Sequence, residues 1–161
     1  MPTLLEQEFD EFYLTQYLQV AGYCWRLVGD RELAHDLTQE AFARMVARWR
    51  RIDDPRSYVY RVATNLVRRS WRERDRSRLA TEAVAASLVT EWPGPDTSAV
   101  GLRDAVSALP RRLREVVLLH YFADLSVTDV AAAVGRPPGT VKRQLSEART
   151  CLASALEDSR D

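Results

Sequence analysis

The stretch SVTDVAAAVGRPPGTVKRQLSEAR, residues 126 to 149, carries the clearest helix boundaries in the chain. Ser126 with Asp129 three residues later makes a capping box that opens one helix. Gly135 suits the left-handed turn that closes it, and Pro137 and Pro138 sit where the first turn of a following helix tolerates them. In that second helix Val141, Leu145, Ala148 and Leu152 fall on one buried stripe, so Thr140, Lys142, Arg143, Gln144, Ser146, Glu147 and Arg149 are turned to other faces. Arginine and glutamine can each meet a base edge in two hydrogen bonds, while threonine and serine suit phosphates. A helix, a tight turn and a helix with such a face fit the reader of a major groove, although a solvated face has the same composition.

Working outward, the helical period recurs almost everywhere. LRDAVSAL and LREVVLLHYFAD, from residue 102, are two further helices of a C-terminal domain. At the front, Phe9, Tyr13, Tyr17, Val20, Cys24 and Leu27 mark a helix of about twenty residues. Gly29 and Asp30 end it and start a second, whose face is Ala34, Leu37, Ala41, Phe42, Met45 and Trp49. That helix breaks at IDDPRS, where Pro55 disfavours a helical Asp54. A third, from about Pro55, carries Val59, Val62, Ala63, Leu66 and Val67 and ends near residue 76. No strand alternation and no internal repeat appear. Residues 77 to 100 hold Pro93, Gly94 and Pro95 with no sustained period and read as a flexible linker, whose Leu79, Leu88, Val89 and Trp92 are free to dock elsewhere. The expected fold is all-α, in two small domains at 1–76 and 101–161.

The 161 residues are 46% apolar, and no apolar run is long enough to span a bilayer or to form a secretion signal, so the chain reads as soluble and cytoplasmic. Cys24 and Cys151 are isolated, and His35 and His120 alone could join them, so neither a zinc site nor a disulfide framework is suggested. Both thiols are expected in the core. The formal charge of zero conceals polarity: residues 1–43 hold two basic and eight acidic side chains, whereas residues 44–78 hold twelve arginines against four acids. A local basic patch suffices to neutralise phosphates, so zero net charge does not argue against a nucleic-acid partner. Six of those arginines lie in RVATNLVRRSWRERDR, residues 61 to 76.

DLTQEAF, residues 36 to 42, places Asp36, Gln39 and Glu40 within an arc of about 100°, opposite Leu37, Ala41 and Met45. Such a face is open to three readings: a solvated surface, a dock for a basic partner helix, or paired catalytic carboxylates. No further histidine, nucleophile or metal-ligand cluster supports the last, so no catalytic residue, metal or cofactor is assigned.

Two resemblances narrow the choice. LRDAVSALPRRLREVVLLHYFADLSVTDVAAAVGRPPGTVKRQLSEAR resembles region four of bacterial extracytoplasmic-function sigma factors, the domain that binds the minus-thirty-five promoter element. DLTQEAFARMV is similar to the helix of region two of the same family, which docks on the clamp coiled coil of RNA polymerase. The resemblance implies core RNA polymerase, at its clamp and flap, and promoter DNA as partners, with Asp36, Gln39 and Glu40 on the polymerase. It places Arg51, Asp53, Arg56, Asn65, Arg68, Arg69, Trp71 and Arg72 at the minus-ten element. Melting a duplex requires cations along the displaced strand and planes or pockets for unstacked bases; the arginines supply the first and Trp71 a possible plane, unless its ring covers the helix end. Asp53 and Asp54 could accept from an exocyclic amine, although Asp54 also suits the cap of the next helix. The minus-thirty-five contacts fall to Thr140, Lys142, Arg143, Gln144, Ser146, Glu147 and Arg149. Glu147 stands where the family usually has a cation, which suggests a different minus-thirty-five sequence or weaker phosphate contact. The family also implies a linker threading toward the polymerase exit channel and, for many members, an anti-sigma factor. The competing expectation is a lone helix-turn-helix regulator that dimerises through its N-terminal helices.

Overall fold

A computed structural model describes residues 1–80, 100–158 and 160, and among them every regular element is helical. The chain divides into two compact units, Met1–Thr90 and Glu91–Asp161.

The first unit opens with α1, Leu4–Val28, which starts earlier than the aromatic stripe suggests. The reason is local: the Thr3 hydroxyl accepts the Glu6 N–H at 3.3 Å, and the Glu6 carboxylate accepts the Thr3 N–H at 2.6 Å. That reciprocal pair satisfies two donors a helix end would otherwise leave open. Gly29, at φ 71, ends α1, and the Asp30 carboxylate accepts from Leu33 N–H to open α2, Arg31–Val46. A single 3-10 turn, Trp49–Arg51, then takes Trp49 off the end of α2. The Asp54 carboxylate accepts from Ser57 N–H at 3.2 Å and caps α3, Pro55–Ala80. That helix runs past the expected boundary at residue 76, since nothing in RSRLA breaks it. Residues 81–99 of the expected linker, with Leu88, Val89 and Trp92, lie outside the described residues, as does the Leu79 side chain.

Three stripes meet in the core of this unit, with Val20 and Leu27 of α1, Leu37, Phe42 and Met45 of α2, and Val59, Leu66 and Val67 of α3 all buried. One polar chain is buried with them. Thr64 donates its single proton to the Tyr60 carbonyl at 2.7 Å, so the Tyr23 hydroxyl, 2.7 Å away, donates to Thr64.

The second unit contains α4, Val100–Ala108, and α5, Arg111–Val117. The expected LREVVLLHYFAD helix does not stay regular: Leu118–Phe122 widens into a π-helical turn, closed by Asp124 at φ 58. Ala123 N–H donates to the Leu118 carbonyl and Leu125 N–H to the Leu119 carbonyl, and the His120 ring ties the turn to the chain beyond it through Nδ1–H on the Leu125 carbonyl. The α6 helix, Val127–Val134, begins where the Ser126 hydroxyl accepts the Asp129 N–H and ends at Gly135, φ 70. After the turn, α7 runs over Pro138–Asp158 and buries Val141, Leu145 and Ala148, with Leu152 half-buried.

The cysteines separate. Cys24 is fully buried, and burial pushes its thiol up to about 12. Cys151 is exposed, against expectation, because Ala148 and Leu152 take the buried stripe on either side of it. A thiol reagent at neutral pH should therefore modify Cys151 alone, with Cys24 reacting only after denaturation, as a mass measurement would show.

Candidate nucleic-acid and polymerase interfaces

Three surfaces hold the residues singled out in the sequence. The first is the outer face of α2, where Asp36, Gln39 and Glu40 are all exposed and Leu37, Ala41 and Met45 are buried beneath them. Glu40 forms an ion pair with Arg44 one turn on, at 2.8 Å, with both side chains about half exposed. Beside this face lies a shallow apolar groove of about 210 Å³, lined by Phe9, Tyr13, Gln39, Phe42, Ala43 and Val46. Its wall is an aromatic cluster: Phe42 packs edge-on to Tyr13 and Phe9 at 5.0 and 6.5 Å, and Phe9 edge-on to Trp49 at 5.3 Å. Acidic and amide groups thus rim a patch of rings held by α1 and α2. That arrangement suits a helical partner whose own surface is basic around an apolar centre.

The second surface is α3 with the turn before it. Arg51 and Asp53 are exposed and Arg56 is half-buried. Along α3, Asn65, Arg68, Arg69 and Arg72 fall within an arc of about 100° opposite the buried Ala63 and Val67. Asn65, Arg69 and Arg72 are exposed, Arg68 is half-buried, and Arg69 approaches Glu73 at 3.4 Å. Two neighbours do not share that outward face. Trp71 is only 7% exposed, so its ring packs into the unit and offers no open plane for a base. Arg74 lies on the same stripe as Val67 and Trp71, and it donates to the Val28 carbonyl at 2.9 Å and approaches Asp30 at 3.6 Å. It ties α3 to the end of α1 and is not one of the outward cations. What remains is a band of cations around an amide, without an exposed tryptophan.

The third surface is α7. Arg143, Ser146 and Glu147 lie furthest from its buried stripe, with Lys142 on the shoulder; of these, Lys142, Arg143 and Ser146 are exposed and have no side-chain partner among the described residues. Glu147, Gln144 and Arg149 are engaged within the unit. Glu147 receives two hydrogen bonds from Arg112 of α5, at 2.9 and 3.1 Å, a fork-to-fork pair. Arg112 holds the Glu147 carboxyl below its usual range by that hydrogen bond. Gln144 accepts from Arg136 at 2.9 Å, Arg149 donates to the Tyr121 hydroxyl at 2.7 Å, and Thr140 is half-buried. These partners are 8 to 35 residues away in sequence, so periodicity carried no sign of them.

Both units match known proteins. Residues 12–77 match the family model for sigma-70 region 2, and residues 100–152 that for sigma-70 region 4. The chain is 33% identical to the RNA polymerase sigma-E factor of Streptomyces coelicolor, over 92% of this chain and 86% of that one. It is 28% identical to the ECF RNA polymerase sigma factor SigW of Bacillus subtilis, over 84% and 81%. In fold it is similar to the sigma factor RpoE of Bartonella quintana, solved with the anti-sigma factor NepR, with a TM-score of 0.83 at 21% identity over 94% and 98% of the two chains. It is similar also to CnrH, with a TM-score of 0.69 at 18% identity over 94% and 89%. With region 2 matched in its first unit and region 4 in its second, the chain belongs to the sigma-70 family as an extracytoplasmic-function sigma factor, a subunit that binds core RNA polymerase and directs promoter-specific transcription initiation.

Proposed function

We propose that this sigma factor divides its work among the three surfaces. The outer face of α2, with Asp36, Gln39 and Glu40, docks on the basic clamp of core polymerase. The turn and outer face of α3, with Arg51, Asp53, Arg56, Asn65, Arg68, Arg69 and Arg72, hold the minus-ten element as it opens. Here Trp71 acts from beneath, as the packed support that sets the direction of Arg68 and Arg72. The α7 helix reads the minus-thirty-five element with Thr140, Lys142, Arg143, Gln144, Ser146, Glu147 and Arg149, of which Lys142, Arg143 and Ser146 are exposed and unengaged within the unit. Its unit also meets the flap.

The observation that carries this reading is the separation of charge by face: an exposed acidic and amide face on α2, and exposed cations on α3 and α7. Work with core polymerase on the chromosome implies a cytoplasmic chain, and no helix among the described residues is long and apolar enough to cross a membrane. The groove beside Gln39 supports an anti-sigma factor as a further partner, through an apolar helix laid on Phe9, Tyr13 and Phe42.

Glu147 changes meaning on α7. Held by Arg112, it cancels one cation of the unit and does not stand alone against the phosphates. The surface is read by alanine substitution of Lys142, Arg143 and Gln144, one at a time, in holoenzyme on a promoter library. Removing a base-reading side chain should cost about 1 to 3 kcal/mol and relax preference at one or two positions. Wild-type preference in all three variants would show that α7 is not the reader.

A further inference from the structure

Glu115 of α5 is 2% exposed, and a carboxylate at that depth needs a cation. Arg136 supplies it from the turn between α6 and α7, its Nη2 2.8 Å from Glu115 Oε2. The turn itself aims the arginine inward. Gly135 and Arg136 both donate their backbone N–H to the Ala131 carbonyl, which fixes where the Arg136 side chain begins. Its Nη1 then donates to the Arg112 carbonyl at 3.0 Å and to Gln144 Oε1 at 2.9 Å. One planar guanidinium therefore joins the buried carboxylate, the backbone of α5 and a side chain on the flank of α7.

The consequence lies in Gln144. Guanidinium groups only donate, so the amide atom facing Arg136 is the carbonyl oxygen and the NH2 is left on the far side. Glutamine recognises adenine by turning both groups on one base edge, accepting from N6 and donating to N7. With Oε1 turned inward on Arg136, Gln144 directs its NH2 group outward. An outward NH2 is best matched by guanine, where N7 and O6 both accept, whereas adenine sets its own N6–H2 donor beside N7. We infer that Arg136 is a positioning residue for promoter reading, which holds Gln144 as a donor and so selects a G·C over an A·T pair at the one minus-thirty-five position that Gln144 meets. This inference rests on α7 being the reader of that element.

The test is a promoter library randomised over the minus-thirty-five element and selected with complete holoenzyme. Glu115→Met combined with Arg136→Met removes the buried pair together, leaving no uncompensated charge, and releases the Gln144 carbonyl. Gln144→Ala identifies the base pair concerned, and circular dichroism and melting report folding. Wild type should show a G·C pair where Gln144→Ala erases the preference, and the folded double variant should shift that pair toward A·T by about tenfold, with the other positions unchanged. Adenine preference at that pair in wild type overturns the inference, whether or not the double variant folds. So does an unchanged profile in a folded double variant. Should Gln144→Ala erase nothing while Lys142→Ala and Arg143→Ala do, Arg136 has no part in reading although α7 still reads; should none of the three alter preference, the assignment of α7 itself fails.

Discussion

Changing Asp36 and Glu40 together to arginine is expected to leave a folded protein that no longer binds core polymerase. Both side chains are exposed on α2, and the buried positions beneath them, Leu37, Ala41 and Met45, are untouched. The fold loses the Glu40–Arg44 pair, which is about half exposed and therefore contributes only about 0.3 to 0.5 kcal/mol, and it gains a like-charged pair of similar size. Neither change approaches the stability of a small domain. At the interface the effect is far larger, because two attractive charges become repulsive against a basic partner surface. Opposition of about 2 kcal/mol or more weakens binding roughly 30-fold or beyond. Analytical size-exclusion with core polymerase should show co-elution of the wild type and loss of the variant, with unchanged melting as the internal control. Wild-type co-elution of the folded variant would remove this face from the polymerase contact.

The second large effect lies on α3. Replacing Arg68, Arg69 and Arg72 with alanine removes three cations from one arc while leaving the buried stripe of Val59, Leu66, Val67 and Trp71 in place. Every phosphate that is no longer neutralised should lower the slope of log affinity against log salt by about 0.9. Three such phosphates correspond to roughly 100-fold weaker promoter complexes at physiological salt. Polymerase binding should survive, which separates this defect from that of the α2 variant. Arg74→Ala serves as a contrast: its side chain is tied to Val28 and Asp30, so its loss should lower the melting temperature of the first unit and leave the salt slope near that of wild type. A salt slope unchanged by the triple variant would return the band to an ordinary solvated face.

How much of this could be read beforehand depends on whether the decisive contact was local. The helix-turn-helix was legible because Ser126, Gly135, Pro137 and Pro138 act on their own backbone within a few residues. The stripes of α1 to α3 were legible because periodic apolar residues must face inward. The Thr3–Glu6 capping box was equally local and was overlooked, since the aromatic stripe starts at Phe9 and drew the boundary with it. Arg74 also left a signal: Val67, Trp71 and Arg74 stand at spacings of four and three, which places the arginine on the inner stripe with the tryptophan. The charge of the band suggested an outward arginine, and the reading of Trp71 stood open between a plane for a base and a cover for the helix end. By contrast, the pairing of Glu147 with Arg112 and of Gln144 with Arg136 depends on how α5, the turn and α7 pack. No periodicity encodes that packing, and with it Glu147 is a clamped partner of a cation while Gln144 becomes a one-sided donor. The π-helical turn at Leu118–Phe122 was hidden for a similar reason, since LREVVLLHYFAD has ordinary helical spacing and the extra residue is accommodated only where Asp124 reverses the chain.

The central claim is that both units act together through core polymerase. It is tested most directly by transcription in vitro, with core polymerase, this chain and a library of promoters randomised at both elements. Transcripts are expected only when chain and polymerase are both present, from promoters enriched at a minus-ten and a minus-thirty-five motif. Asp36→Arg with Glu40→Arg is expected to abolish all of them. Tight, sequence-specific binding of DNA by the free chain at physiological salt, with no transcripts added to those of core polymerase alone, would contradict it and leave a lone helix-turn-helix regulator.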